Sequence, residues 1–191
     1  MEETNLKKLK ILFFTQYFWP ENFRINELVN FFSSKNNKNL ILTSYPSYPN
    51  NKLFKNFKIS DDKKFTEDEI IRIPVIPRSD GNLALILNYL SFFLNSFFYG
   101  LFVFFKKKFK LIFLFSPSPI FSVLPIILIN KIFKKKIVIW ILDLWPDTIV
   151  DLKIVKNKFL IKILKKIIFF IYDNCDLILA QSNSIKEEIE K

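Results

Sequence analysis

The sequence predicts an α/β fold with a mostly parallel sheet covered by helices on both faces, and three observations carry that expectation. Short apolar runs recur at residues 10–14, 39–43, 110–115, 136–140 and 177–180. They are continuous rather than alternating, as strands must be when neither face meets water. Segments of helix length lie between them, and strand–helix–strand alternation is the pattern of parallel sheets.

Taken in order, KILFF at 10–14 enters the loop QYFWPENFR, after which an amphipathic helix is expected over 22–33. NLILT at 39–43 gives a second buried strand. The prolines and tyrosines of SYPSYP then enforce an irregular loop, because proline fixes φ and lacks a backbone donor. A further cycle runs through KLIFLF at 110–115, the loop SPSP at 116–119, an apolar helix over 120–133 and KIVIW at 136–140. ILDLWPD separates that strand from a helical region at 157–172, and DLILA supplies the last strand before a helix opens at Ser184. The pattern stops at Lys191 in mid-cycle, so it is expected to belong to something larger. Residues 10–191 read as one Rossmann-like domain behind a polar lead, residues 1–9, with no internal repeat or flexible linker. In such folds the loops at one end of the strands gather the binding residues. Here they span 16–24, 44–49, 116–119, 142–147 and 181–184.

Composition narrows the chemistry. Histidine is absent and Cys175 is the only cysteine, which excludes Ser-His-Asp and Cys-His catalysis, an intrachain disulfide and a cysteine-rich zinc site. Cys175, at a strand entrance, reads as a packing residue. No metal site is expected, since no carboxylate cluster is strong enough. The turn after the first strand is TQYFWPENFR rather than a glycine-rich loop, so there is neither a dinucleotide fingerprint nor a P-loop. With 29 Lys plus Arg against 18 Asp plus Glu the formal charge is +11, and residues 131–166 alone hold ten lysines against three aspartates. That excess has two readings, solvated lysine faces or an anionic membrane surface as partner. Nucleic acid is not an expected partner, because no zinc finger, RNA-binding aromatic signature or DNA-reading helix is present.

Residues 81–105 contain no charge and are long enough to cross a bilayer, with Lys106, Lys107 and Lys108 as a basic flank. Asn88, Ser91, Asn95, Ser96 and Tyr99 interrupt the apolarity, and Gly100 weakens a helix. A helix lying on the membrane, an ordinary packed helix and a true span all remain open from the sequence. The amino terminus has no signal-peptide core, so the expected location is the cytoplasmic face of the inner membrane, peripheral or monotopic.

Within the loops, Gln16, Glu21 and Asn22 are candidates to orient polar ligand groups. Arg24, at the start of the helix, is a candidate to reach a phosphate or sugar hydroxyl there. Glu21 has a structural alternative, since a carboxylate favours a helix amino end without touching ligand. Tyr45 and Tyr48 either contact ligand or pack their own loop. In WILDLWPD, Trp145 and Pro146 make a rigid apolar wall that leaves Asp143 and Asp147 to bind hydroxyls; Asp147 has a helix-capping alternative.

The motifs KILFFTQYFWPENFRINEL, LTSYPSYPNNKLF, IPRSDGNLALILNYLSFFL, FSPSPI, WILDLWPDTIV and DLILAQSNSIKEEI, in this order, resemble the amino-terminal domain of bacterial GT-B retaining glycosyltransferases of family 4. Within that family they look most similar to the WbuB-like and colanic-acid-type transferases of surface polysaccharide synthesis. The resemblance covers residues 10–191 and implies the amino-terminal half of a GT-B fold, with the carboxyl-terminal donor domain absent. It also implies transfer of a sugar, with retention, from a nucleotide-sugar donor that is substrate rather than cofactor to a lipid-linked glycan acceptor. No cofactor is implied. Gln16, Tyr17, Pro20, Glu21, Asn22 and Arg24 fall in the family's first cleft loop. Asp143, Trp145 and Pro146 fall in its later one, with Asp143 as an acceptor-side contact. Ser116, within 115–119, and Gln181 with Ser182 would line the same edge.

Two departures stand out: the first loop lacks glycine, and Leu142 occupies the place where many members have a histidine before the aspartate. Glu187, Glu188 and Glu190 are not the family's two-glutamate motif, which belongs to the missing domain. A donor-binding domain supplied in cis or in trans is therefore the implied partner, and whether the chain is itself an enzyme stays open. The alternative is a noncatalytic membrane-associated or interaction module derived from such a domain.

Overall fold

The computed structural model describes residues 9–35, 38–50, 55–65, 68–117, 119–145 and 157–190. Six strands, β1 (Ile11–Phe14), β2 (Leu40–Ser44), β3 (Glu69–Ile73), β4 (Leu111–Ser116), β5 (Lys136–Ile141) and β6 (Leu177–Ala180), form one sheet in the order β3-β2-β1-β4-β5-β6. Every pairing is parallel. The order reverses between β1 and β4, and such a switch point opens a crevice at the carboxyl ends of the strands. The connections carry α1 (Ile25–Ser34), α2 (Asn82–Lys106), α3 (Leu124–Phe133) and α4 (Lys158–Asp173), and α5 (Asn183–Ile189) follows β6. This is a Rossmann-like α/β fold.

Alternation along each strand sends neighbouring side chains to opposite faces. Ile11, Phe13, Phe113 and Phe115 pack with Ile25 and Val29 of α1. Leu12, Phe14, Ile112 and Leu114 pack with Phe92, Ile126 and Ile168 of α2, α3 and α4. Burial on both sides explains the unbroken apolar runs, but the coverage is unequal. On the α1 side, Val138 and Trp140 of β5 are only half-buried, and Leu177 and Leu179 of β6 are exposed.

The strands sit within a residue of their expected positions, and β3 is the one the apolar pattern does not reveal. EIIRI carries Glu69 and Arg72, charges that break a hydrophobic run. Arg72 is nonetheless buried, held by Asp62 (2.5 Å) and by the carbonyls of Ser44 (2.9 Å) and Trp19 (2.5 Å). A buried guanidinium is tolerated only when its donors are satisfied in this way.

Helix α2 is built into the layer rather than standing apart from it. The polar residues that interrupt its sequence face inward and hold the segment that enters it. Asn88 Nδ2 donates to Ile76 O (2.7 Å), Ser91 Oγ accepts from Ile76 N (2.9 Å), and Asn95 Nδ2 donates to Pro74 O (2.7 Å). Gly100, expected only to weaken the helix, sits where α2 presses on α3. A Cβ there would lie 2.7 Å from Ile129 Cδ1 and 2.9 Å from Ile126 Cδ1, so the glycine is a packing residue.

Candidate functional site

The loop after β1 begins the site. Gln16 is 2% exposed, and its carbonyl accepts from Ser44 Oγ (2.7 Å) and Ser44 N (3.3 Å), tying the loop to the end of β2. Its side-chain Nε2 donates to Asn88 Oδ1 (2.9 Å) on α2. Its Oε1 is buried and has no partner among the described residues. A buried acceptor without a donor costs free energy, which marks the atom as positioned for something else. β4, which pairs with β1 in the register Phe14↔Leu114, ends at Ser116, whose hydroxyl is likewise buried and without a partner among the described residues. A cavity of about 280 Å³ adjoins Gln16 and is lined also by Tyr89, Phe93, Pro119, Phe121 and Ser122, reaching Ile86 and Leu90 of α2. It is small for a ligand site and mostly apolar, with the amide of Gln16 at its polar end.

On the β2 side, Glu21 is an internal staple. Its Oε2 accepts from Phe18 N (3.2 Å) and its Oε1 from Ser47 N (2.8 Å) and Tyr48 N (2.6 Å), so it joins the loops after β1 and β2. Burial pushes its carboxyl up to about 7, against the opposing pull of the three N–H donors and Arg72. The staple also shapes an aromatic wall. Tyr17 stacks on Phe23 (5.1 Å), Tyr48 packs against both (5.2 Å each), and the Arg78 guanidinium lies 5.0 Å above the Tyr48 ring while donating to Tyr17 Oη (3.1 Å). Burial, with Tyr89 second, pushes the Tyr17 hydroxyl upward, so it stays protonated. Tyr48 and Tyr45 remain partly exposed on this side and are the surfaces available for stacking.

The other candidates divide. Asn22 and Arg24 are exposed. The expected anion site at the start of α1 is already occupied from within, because Asn26 N and Glu27 N donate to the carbonyls of Phe23 and Arg24 (3.0 and 3.2 Å). Asp143 and Trp145 are half-buried in the loop after β5. The Trp145 ring meets Phe121 edge-on at 5.2 Å, which joins this loop to the cavity, and its buried indole N–H has no partner among the described residues. Asp147 lies outside the described residues, as do Pro146 and Ser118.

Gln181 and Ser182 share the carboxyl edge but not the cavity. Two strand spacings, roughly 10 Å, separate β6 from β4. Ser182 Oγ instead caps α5 by accepting from Ile185 N (3.3 Å), and both residues line a separate open hollow beside Leu179 and Ile189. Cys175 is an inert thiol, donating to Ile171 O (3.2 Å) and pushed up to about 12 by burial and then by Asp176.

The residues that sequence reasoning missed are Asn88, Tyr89 and Arg78. Asn88 carried a signal, since an amide inside an apolar helix needs a buried partner; the partner's identity required the fold.

No family model matches the chain, and no curated protein matches it. Among solved structures it is similar to a UGT transferase from Siraitia grosvenorii in complex with UDP, at 10% identity and a TM-score of 0.42, over 71% of this chain and 28% of that one. The chain therefore spans little more than a quarter of that protein.

Chemically, the carboxyl ends of β1, β4 and β5 carry three buried groups without partners among the described residues, the Gln16 amide oxygen, the Ser116 hydroxyl and the Trp145 indole N–H. Among the described residues no group of three His, Cys, Asp or Glu side chains is arranged to hold a metal ion.

Proposed function

We propose that this chain is the acceptor-side domain of a retaining glycosyltransferase, which moves a sugar from a nucleotide-sugar donor to a lipid-linked glycan acceptor in surface polysaccharide synthesis. The observation that carries the reading is the pair of buried, unsatisfied groups at the switch point, Gln16 Oε1 and Ser116 Oγ, beside an aromatic flank. Sugars present alternating hydroxyls and apolar C–H faces, and this combination complements both. The ordered series of motifs that resembles family 4 supports the same reading, including Asp143 as a hydroxyl contact of the acceptor.

Transfer needs the anomeric carbon, the acceptor oxygen and the departing phosphate held together, with donors placed where charge develops. One wall of a cleft supplies the acceptor side of that arrangement. The donor's diphosphate would be held by a second domain, in cis or in trans, and the isolated chain is expected to bind acceptor and to turn over little.

Titration of the 15N-labelled chain tests this. Short-chain prenyl-diphosphate-linked sugars are expected to shift the backbone amides of Gln16, Ser116 and Asp143, while NAD leaves them unchanged. Shifts at these amides with NAD, and none with any prenyl-diphosphate-linked sugar, would make the crevice a nucleotide site and sink the reading.

A further inference from the structure

Helix α2 is apolar on both faces. Its inner face carries Asn88, Ser91, Asn95 and Ser96 together with Phe92, Val103 and Phe104, and its outer face is lined by apolar residues. Leu83, Ile86, Leu90, Leu94, Phe98 and Phe105 form an exposed stripe at helical spacing, with Phe98 at 68% and Phe105 at 71% exposure. The stripe is about 33 Å long at 1.5 Å per residue. The apolar surface continues sideways. Phe105 meets Phe133 of α3 at 5.2 Å, Ile132 of α3 is 74% exposed, and an apolar groove of about 290 Å³ runs between α3 and α4, with Leu128 and Ile163 on its walls and Lys166 at its edge. On α4, Phe159 is 72% exposed beside Lys162.

Lysines dominate the charge on this layer. The sequence contains no Asp or Glu between Asp80 and Asp143, and the one acid in the three helices is Asp173, the last residue of α4. Lys106, Lys108, Lys131, Lys162, Lys165 and Lys166 are all exposed on or beside the three helices. Exposed apolar area on this scale needs a cover. Aromatic and aliphatic protrusions set among lysines, with Asp173 at the end of α4 as their one acid, match the interface of an anionic bilayer better than the polar rim of a protein partner.

We propose that the outer face of α2, α3 and α4 is a docking surface for an anionic lipid bilayer, with α2 lying in the interface plane and the lysines of α4 on the headgroups. The bilayer is docked against, not spanned. Although α2 is 25 residues long and apolar enough to cross a membrane, Phe92 and Val103 on its inner face are buried in the sheet's core, and its Asn88 holds Gln16. Spanning would pull these apart. Ile86 and Leu90 belong both to the stripe and to the switch-point cavity, so a bilayer beneath α2 sits at the mouth of that cavity. The proposal stands on this surface alone and does not rest on the glycosyl-transfer reading.

Flotation of the full chain with vesicles tests it. Binding is expected to be at least tenfold stronger to phosphatidylcholine vesicles containing roughly a third phosphatidylglycerol than to phosphatidylcholine alone, and to weaken with salt. Phe98→Asp with Phe102→Asp should abolish binding to both. Lys162→Glu with Lys165→Glu should lose at least about 20-fold toward the anionic vesicles only, at roughly 5-fold per lysine. Circular dichroism confirms that each variant is folded. Vesicle binding unchanged in either folded variant would overturn the proposal. So would failure to bind vesicles together with a dimer that the Phe98/Phe102 variant dissolves, which would make a second copy the occupant.

Discussion

Replacing Glu21 with alanine is expected to destabilise the fold by about 3–5 kcal/mol, a large share of the roughly 5–15 kcal/mol that holds an ordinary domain. The carboxylate satisfies the N–H groups of Phe18, Ser47 and Tyr48, and alanine leaves all three without an acceptor in a buried loop. Each abandoned donor costs about 1–3 kcal/mol, reduced by whatever water enters the vacated space. The same group makes stability depend on pH. Its folded value, about 7, lies above its ordinary 4.5, so the folded chain binds the extra proton between them. The stabilisation is therefore complete below about pH 4.5 and is lost as pH rises through about 7, a fall of roughly 3 kcal/mol at 1.36 kcal/mol per unit. Urea midpoints of the parent and of Glu21→Gln across this range check both statements. The slope attributable to Glu21 should vanish in the glutamine variant. A slope that survives there, or an alanine variant as stable as the parent, would contradict the staple.

Arg72→Met is expected to cost about 3–5 kcal/mol, the range for breaking a buried ion pair by removing one partner. Methionine fills much of the volume but strands Asp62, whose side chain is 11% exposed, together with the carbonyls of Ser44 and Trp19. Those carbonyls belong to the end of β2 and to the loop after β1, so the loss should also loosen the wall formed by Tyr17 and Tyr48. A double-mutant cycle with Asp62→Asn measures the pair itself, and a coupling of at least about 1 kcal/mol is expected. Strict additivity would mean that Arg72 acts through the two carbonyls alone.

Both residues show where sequence reading stops. ILFF and LIFLF were legible because they are buried on both faces and so carry no polar interruption, and LILA is equally apolar although Leu177 and Leu179 are exposed. β3 was not, because Arg72 and Glu69 sit in its run, and only the position of Asp62 in the fold makes Arg72 tolerable there. The helix expected from residue 22 begins at Ile25, since the Glu21 carbonyl accepts from Phe23 N (3.1 Å) and Asn26 Nδ2 (2.7 Å) in a turn rather than opening a helical ladder. Gln16 and Ser116 are legible as cleft residues from their places at the ends of strands, and the pairing of β1 with β4 makes those strands neighbours. Gln181 and Ser182 were named on the same ground and lie at the sheet's far side, since sequence order does not disclose that β6 is two strands from the switch point. The orientation of α2 was hidden for a related reason. Its asparagines and serines look like a solvent face until the segment at 74–76 is seen beneath them.

Transfer of labelled sugar into lipid-linked glycan, by membranes from the organism of origin with the gene intact or deleted, decides whether this domain serves glycosyl transfer. Such membranes supply the acceptor and any companion domain, and pooled nucleotide sugars supply the donor. Loss of one labelled product on deletion is expected, restored by returning the gene and at least tenfold less by the gene carrying Asp143→Asn. An identical set of labelled products with and without the gene would contradict the assignment.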